Sequence, residues 1–426
     1  MKVSQIKQEI NSAKVLDVAF DVGKEKLNPV FEIGQFRYGD DCGNRSNPIN
    51  AKLKEIMQIA REHGYETLRI LCEPSGGYEK ALLRIAHQLG FRTAYVSGEA
   101  SSKFRMVVHG DPGKSDERDP QPLLAIASQG KLLKHRVLPA EYELLRELNR
   151  EYDWVSNNRV MVRCEIHTLL VRLFPDLPVS SDFLYEPGGR ALAREYGWNP
   201  RRIVDAGPGQ LEQCLKTACR FVRRQTIAKI WQAAWQSTQY HEDESGILDY
   251  VTERLQRRYE EIERLDQQRQ ALCSRLEELY LRLREKDPRL PRAVAGVVKL
   301  YMLARIVGET GPLSDFQSIR QLYRFAGLNL CERKSGKYEG KTKISRKGRV
   351  PLRRILGRAV LPLIHKGGLY DAWYHLPEDK TKKGKSLAAL MRKFLKLLFG
   401  WYRSGGEFDF KRVFTSASEY GVVHAA

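Results

Sequence analysis

The stretch Leu248–Leu283 limits the possible folds most, because it repeats apolar residues at the heptad spacing of a long helix. Nine of the eleven heptad positions are apolar, over five heptads. One register holds Leu248, Leu255, Ile262, Arg269, Leu276 and Leu283, and the other holds Val251, Arg258, Leu265, Leu272 and Leu279. This pattern predicts a coiled-coil helix of roughly 50 Å. Such an arm either folds back on a helix predicted at 141–174 or pairs with a second subunit, and we favour pairing.

The residues before this arm alternate strand-like and helical patterns, which predicts an α/β domain. Strands are predicted at Val15–Val22, Pro29–Ile33, Phe36–Gly39, Thr67–Cys72 and Phe91–Val96. Helices are predicted at Ala51–His63, Tyr78–Leu89, Ser101–Val108 and Pro120–Gln129.

At 426 residues the chain is long enough for two or three domains. We predict an α/β domain at 1–139, a helical linker with a dimerisation arm at 140–289, and a mostly helical domain at 290–426. The last domain contains a basic loop or hairpin at Arg333–Arg354 and a basic amphipathic helix at Lys385–Trp401. The role of segment 176–240 is not evident from the sequence.

The net charge of +20 predicts a polyanionic partner, of which nucleic acid is the commonest. From Arg333 to Arg403 there are 20 basic and 4 acidic residues, so a charge of +16 lies in this stretch. The alternative is a surface that is merely solvated. Against it, so many positive charges repel one another unless a partner supplies negative charge.

Other compositional features narrow the class of protein. The seven cysteines are scattered, which favours neither a zinc site nor a disulfide framework. No run of about 18 apolar residues occurs, so no membrane association is expected. The first residues lack an apolar secretory core, and we therefore expect a cytoplasmic, nucleoid-associated protein.

Four acidic residues occupy positions typical of a metal site. Asp21 ends the first strand, Glu73 follows the strand Thr67–Cys72, and Asp116 and Asp119 lie three apart at a helix start. Strand-end carboxylates of an α/β sheet commonly face a ligand crevice, and oxygen ligands favour Mg²⁺ or Mn²⁺ over zinc. Asp17 shares the strand face of Asp21 and is the obvious decoy, which we expect to lie outside the metal site.

The same acids lie in motifs that resemble a known family. Phe20–Leu27 (FDVGKEKL), Glu73–Glu79 (EPSGGYE) and Lys114–Asp119 (KSDERD) resemble the acid motifs of DEDD transposases of bacterial insertion sequences, the insertion-sequence 110 family. The resemblance implies a RuvC-like, RNase H-like N-terminal domain with Asp21, Glu73, Asp116 and Asp119 as catalytic metal ligands. Gly23, Ser115 and Pro120 depart from the family pattern, but none of these changes removes a ligand.

The C-terminal third resembles the serine-bearing domain of that family. The stretch Phe316–Leu328 (FQSIRQLYRFAGL) is the most similar, and Ser335-Gly336 follows where the family carries its nucleophilic serine. Ser335 is therefore the candidate nucleophile. Tyr338, Thr342 and Ser345 are nearby competitors, and Tyr338 would suit a tyrosine recombinase.

Basic residues around Ser335 and towards the C-terminus are the predicted nucleic-acid-binding set, since cations hold phosphate and stabilise developing negative charge. They are Arg333, Lys334, Lys337, Lys341, Lys343, Arg346, Lys347, Arg353, Lys382, Lys383 and Lys385.

The resemblance implies a transposase or recombinase that exchanges donor and target DNA. It further implies guidance by a structured non-coding RNA, the bridge RNA, and a homo-oligomer, a dimer or tetramer, with sites composed from two subunits. A DNA invertase of the same family, a metal-dependent junction nuclease that uses water, and a non-catalytic nucleic-acid-binding scaffold are the alternatives.

Overall fold

The computed structural model describes residues 14–109, 120–240, 246–331, 334–335, 338–339, 342–374, 383–405 and 408. The chain forms two compact units, 1–137 and 138–426. The first boundary lies two residues from the one predicted at 139. The structure draws no second boundary near 289, because the residues on both sides of that point share one hydrophobic core.

The first unit is built on a mixed seven-stranded sheet. Its strands are β1 (Val15–Val22), β2 (Lys26–Ile33), β3 (Phe36–Gly39), β4 (Cys42–Gly43), β5 (Thr67–Cys72), β6 (Arg92–Tyr95) and β7 (Leu133–Lys134). The order is β3-β2-β1-β5-β6-β7, with β4 paired to β2. β1, β2 and β3 are antiparallel neighbours, whereas β1, β5 and β6 run parallel. The strands predicted at Val15–Val22, Phe36–Gly39 and Thr67–Cys72 are confirmed with the same bounds.

Helices cover both faces of this sheet. They are α1 (Ser46–Glu62), α2 (Lys80–Gln88), α3 (Gly98–His109) and α4 (Gln121–Ser128). Phe20 and Cys72 pack with α1 and α2 in one apolar cluster, while Ala19 and Leu71 pack with α3 and α4 in another. Because strand residues alternate between faces, Asp21 and Glu73 belong to the α3–α4 face.

The second unit is mostly helical. Its helices are α5 (Ala140–Leu173), α6 (Pro187–Tyr196), α7 (Pro200–Ala218), α8 (Arg224–Tyr240), α9 (Ile247–Lys286), α10 (Leu300–Thr310), α11 (Ile319–Ala326), α12 (Val350–Val360), α13 (Asp371–Tyr374) and α14 (Lys383–Ser404). Three-residue 3₁₀ turns lie at Phe183–Tyr185 and Leu313–Asp315, and a four-residue turn lies at Leu361–Ile364. Short strands β8 (Leu330–Cys331), β9 (Lys334–Ser335), β10 (Tyr338–Glu339) and β11 (Lys343–Ile344) form two small ladders.

The heptad helix α9 packs antiparallel along α5 of the same chain. Lys286 pairs with Glu141 at one end of the two helices, and Arg254 pairs with Glu165 towards the other. Eight of the nine apolar heptad positions are buried, namely Val251, Leu255, Ile262, Leu265, Leu272, Leu276, Leu279 and Leu283. The polar position Arg258 faces Glu165, with 2.8 Å between Nε and Oε2. The heptad face that we predicted would pair with a second subunit is thus buried inside the chain, because α5 supplies the complementary face.

Helix α10 crosses α5 at close range. A Cβ placed on Gly308 would lie 2.8 Å from the Cβ of Leu145, so only glycine allows this approach. Arg146 of α5 donates from Nε to the carbonyl of Gly308 at 3.0 Å. This crossing joins α5, the helix that packs along α9, to the C-terminal helices.

Across the described residues, no helix is both long enough and apolar enough to span a bilayer.

Candidate functional site

Asp21 and Glu73 lie side by side at the ends of two adjacent parallel strands. The register pairs Phe20 with Cys72, so Asp21 is the next residue of β1 and Glu73 is the first residue after β5. Both side chains are half-buried. The sheet therefore brings together the two predicted acids that the structure describes.

The loop after β5 is organised around a buried carboxylate, Glu79. Its Oε2 accepts hydrogen bonds from Ser75 Oγ at 2.7 Å, Gly77 N at 2.9 Å and Ser75 N at 3.3 Å. Tyr95 donates its hydroxyl to Oε1 at 3.4 Å. Burial alone would raise the pKa of Glu79, but the bonds from Ser75 and Gly77 outweigh burial and lower it. Glu79 thus fixes the loop that begins at Glu73.

Helix α3 begins against the Glu73 carboxylate. A Cβ on Gly98 would lie 3.0 Å from Glu73 Oε2, so glycine leaves the room that this carboxylate occupies. One turn further on, the Ser101 hydroxyl is fully buried and has no hydrogen-bond partner among the described residues. Carboxylate and hydroxyl oxygens are the donors that a hard cation prefers.

The other two predicted acids, Asp116 and Asp119, lie outside the described residues. The helices on either side of them in sequence, α3 and α4, both pack on the sheet face that carries Asp21 and Glu73. Within the described ranges, no group of three or more Asp, Glu, His or Cys side chains could hold a metal ion.

Asp17, the expected decoy, has a structural partner. Its two carboxylate oxygens accept from Arg69 Nε and Nη2, both at 2.6 Å. Asp17 and Arg69 are register partners on β1 and β5. Asp21 lies four positions further along β1, roughly 13 Å away, so Asp17 belongs to a different part of the sheet.

Ser335 lies in a two-residue ladder in the second unit. β9 and β10 are antiparallel, and Ser335 pairs with Tyr338, the competing nucleophile. The neighbouring ladder pairs Leu330 with Ile344 and Cys331 with Lys343. Ser345 closes this ladder by bonding to Asn329 through its backbone N at 2.8 Å and its hydroxyl at 2.5 Å. The predicted hairpin is therefore confirmed in the described residues.

The base of this hairpin is held by close backbone contacts. Gly327 ends α11 at a φ of +67°, and a Cβ there would lie 2.4 Å from Arg353 Nη1. Gly348 sits against it, with its own ideal Cβ position 2.4 Å from Gly327 N. Arg353 donates to the carbonyl of Ala326 at 2.9 Å. Burial and the nearby charge of Arg346 lower the pKa of Arg353, so positive charge is crowded beside the hairpin.

A buried polar network connects the hairpin to α5 and α10. Arg349, one residue before α12, donates from Nε to Glu309 Oε2 at 2.5 Å. Glu309 Oε1 accepts from Asn149 at 3.2 Å, and Asn149 Oδ1 accepts from Arg305 at 3.1 Å. Arg305 also donates to Asp153 Oδ1 at 2.6 Å. Three members of the network, Arg305, Glu309 and Asn149, are almost fully buried. The network therefore fixes the point at which the hairpin leaves the helical core.

The structure describes part of the predicted basic set. Lys343, Arg346 and Lys347 are exposed, and Arg353 is half-buried. For Lys334, Lys383 and Lys385 only the backbone is described, in β9 and α14. Arg333, Lys337, Lys341 and Lys382 lie outside the described residues.

Sequence reasoning missed Gly98, Glu79 and the network around Glu309. Glu79 is the last residue of the EPSGGYE motif, and its place after two glycines was a usable signal for a loop-capping carboxylate. Glu309 and Arg305 carried no such signal, because their partners on α5 are more than 150 residues away in sequence.

Two family models match the chain at these sites. One, described as a transposase model of the IS110 DEDD type, matches residues 21–175. The other, described as the transposase IS116/IS110/IS902 family, matches residues 296–375. The chain belongs to the IS110 family of transposases.

In this transposase the first match begins at Asp21 and contains Glu73, and the second contains Ser335 and Arg353. Residues 176–295 lie between the two matched ranges. No curated protein matches the chain.

Proposed function

We propose that this transposase cuts and rejoins DNA of a mobile element through a metal-dependent acid site and the nucleophile Ser335. The observation that carries the proposal is the adjacency of Asp21 and Glu73 at the ends of parallel strands, within the matched transposase range. The three antiparallel strands, followed by parallel strands with helices on both faces, support an RNase H-like fold for this unit.

The acid site would hold Mg²⁺ or Mn²⁺ through Asp21, Glu73, Asp116 and Asp119. The oxygen-only donors and the space that Gly98 leaves beside Glu73 fit a hard cation. When bound, such ions polarise phosphate oxygens and stabilise the charge that develops on them. Glu79 holds the loop of Glu73 in place, which keeps this carboxylate positioned without substrate.

Ser335 would carry the covalent step. Its Oγ forms a bond to phosphorus while the bond from phosphorus to the departing deoxyribose oxygen breaks. The serine proton leaves to a base, and the departing oxygen takes up a proton. Rejoining reverses these changes, because a deoxyribose hydroxyl attacks the phosphoserine and Ser335 departs. Arg346 and Arg353 beside the hairpin supply the positive field that a phosphate requires.

Donor DNA, target DNA and a structured guide RNA are the proposed partners. The exposed cations Lys343, Arg346 and Lys347 support phosphate binding. The acids and Ser335 lie in different compact units, which is compatible with a homo-oligomer that combines units from two subunits.

A covalent adduct tests the proposal. Wild-type protein, DNA, RNA and Mg²⁺ should give DNA attached to protein after denaturation. Ser335→Ala should abolish this adduct and strand exchange but still bind nucleic acid, because only a hydroxyl is removed. Tyr338→Phe is the matched control and should keep the adduct.

Two outcomes would contradict parts of the proposal. An adduct formed by Ser335→Ala would show that the nucleophile assignment is wrong. Metal-dependent cleavage by the wild type without any adduct would favour the junction nuclease that uses water. A DNA invertase would form the same adduct and would differ only in the arrangement of the joined DNA.

A further inference from the structure

The connection between α7 and α8 forms an exposed tip, defined here as Cys219–Arg224. It joins two helices of the segment between the family-matched ranges, and it ends the hairpin that these helices form. Residues 219–223 are not helical and separate the two helices. Because of this break, the side chains of residues 219–223 do not follow the spacing of a helix.

Two of the tip residues anchor it to the protein. Cys219 lies against Gly188 of α6, where a Cβ would come within 2.9 Å of its Sγ. Val222 packs on the hydrophobic core. Arg220 and Phe221 lie between these anchors and are exposed. At 79 % exposure, Phe221 is the most exposed large hydrophobic side chain in the described part of the chain.

Arginines flank this phenylalanine in the sequence. Arg220, Arg223 and Arg224 are all exposed, and none forms an ion pair with another described residue. Glu212, an acid whose pKa is lowered by the bond from Lys216 and also by the charge of Arg224, is paired with Lys216 at 2.6 Å. Arg224 begins α8, whose first turn holds no acid, and a helix N-terminus disfavours positive charge. An anion at the tip would relieve this accumulation of positive charge.

We propose that the tip binds unpaired nucleotides of an RNA, with one base stacked on Phe221 and neighbouring phosphates held by Arg220, Arg223 and Arg224. Exposed aromatic rings flanked by arginines suit unstacked bases, which folded RNA presents in its loops. Duplex DNA keeps its bases stacked inside, so it would use the cations but leave the ring without a partner. A protein partner would bury three unpaired cations, which interface cores disfavour.

This inference rests on the proposed function, since it assigns a contact to the proposed RNA partner. Its test uses the full-length protein and a single-stranded RNA of about 12 nucleotides that carries 4-thiouridine. Irradiation should cross-link the RNA to the peptide containing Phe221, as identified by mass spectrometry. Blunt duplex DNA should compete poorly for this cross-link at equal phosphate concentration.

Substitutions separate stacking from charge. Phe221→Leu should raise the RNA concentration needed for half-maximal cross-linking roughly 5- to 100-fold without changing the salt dependence of binding. Phe221→Trp should retain binding. Changing Arg220, Arg223 and Arg224 together to Ala should lower the slope of log affinity against log salt by about 2. Phe36→Leu is the matched control, because Phe36 is 73 % exposed in the other unit and should not affect the cross-link.

The possible failures are distinguishable. Absence of a cross-link at the tip, or equal competition by duplex DNA, would overturn the inference even if the DNA adduct at Ser335 forms. A normal cross-link without any DNA adduct would instead contradict the proposed function and leave the tip assignment standing. If Phe221→Leu changed the sedimentation of the protein but not the cross-link, the tip would be a protein interface and the proposal would be wrong.

Discussion

At the scale of single residues, the geometry of the proposed acid site depends on residues other than the predicted metal ligands. Glu79 is buried and gathers donors from its own loop and from Tyr95, and this arrangement fixes the backbone just after Glu73. Gly98 acts by lacking a side chain, because the Glu73 carboxylate lies where its Cβ would be. The Glu73 carboxylate, a proposed metal ligand, is thus positioned by Glu79, which holds its loop, and by Gly98, which leaves space for it.

Gly98→Ala tests this spatial requirement. The new methyl group would approach Glu73 Oε2 to 3.0 Å and displace it by a few tenths of an ångström. We expect DNA cleavage to fall by about tenfold or more, because small displacements of catalytic groups are costly. Thermal stability should be kept, since alanine is favourable in a helix.

The control for this variant is Gly39→Ala in β3. A Cβ there meets its nearest neighbour at 3.5 Å, an ordinary contact. Cleavage by Gly39→Ala should match the wild type. Equal cleavage by Gly98→Ala would mean that the position of Glu73 is not critical.

At the scale of elements, the sequence predicted what local patterns determine. Apolar strand-like runs located β1 and β5, and the heptads located α9. The partner of α9 could not be predicted, because heptads specify a complementary face but not which chain provides it.

Asp266 of α9 ties three helices together, and its charge should matter for acid stability. It pairs with Arg159 of α5 and with Arg190 of α6, the latter at 2.6 Å. Burial raises the pKa of Asp266, but the bonds from both arginines outweigh it and lower the pKa below its ordinary value. The carboxylate therefore stabilises the fold above the unfolded-state pKa of about 4, and this stabilisation is lost as the pH falls through the lower folded-state pKa.

Asp266→Asn should lower the free energy of unfolding by about 1–3 kcal/mol at pH 7, with the difference shrinking as the pH falls below the unfolded-state pKa of about 4 and through the lower folded-state pKa. Tryptophan fluorescence during urea unfolding can measure this, because all six tryptophans lie in the second unit. Asp249→Asn is the control, since Asp249 pairs with Arg202 at an exposed site and should change stability little. A deficit that stayed constant at every pH would contradict an electrostatic role for Asp266.

At the scale of the whole molecule, the two halves of the proposed chemistry are separated along the chain. Asp21 and Glu73 belong to unit 1–137, and Ser335 belongs to unit 138–426 with its buried network around Glu309. Sequence motifs indicated two candidate sites but not how they combine, because a local pattern carries no information about distant parts of a chain. The proposed homo-oligomer offers one way to combine them.

Mixing two inactive variants tests whether the sites combine across subunits. Asp21→Asn keeps the serine and loses an acid, whereas Ser335→Ala keeps the acids and loses the serine. If each active site takes acids from one subunit and serine from another, an equal mixture of randomly exchanged dimers should hold about a quarter of its sites intact. The covalent DNA adduct should then reappear in the mixture at about that level, and only on Asp21→Asn chains, which a size tag on one variant would reveal. If both groups come from one subunit, every site in the mixture lacks one of them, and no adduct should form.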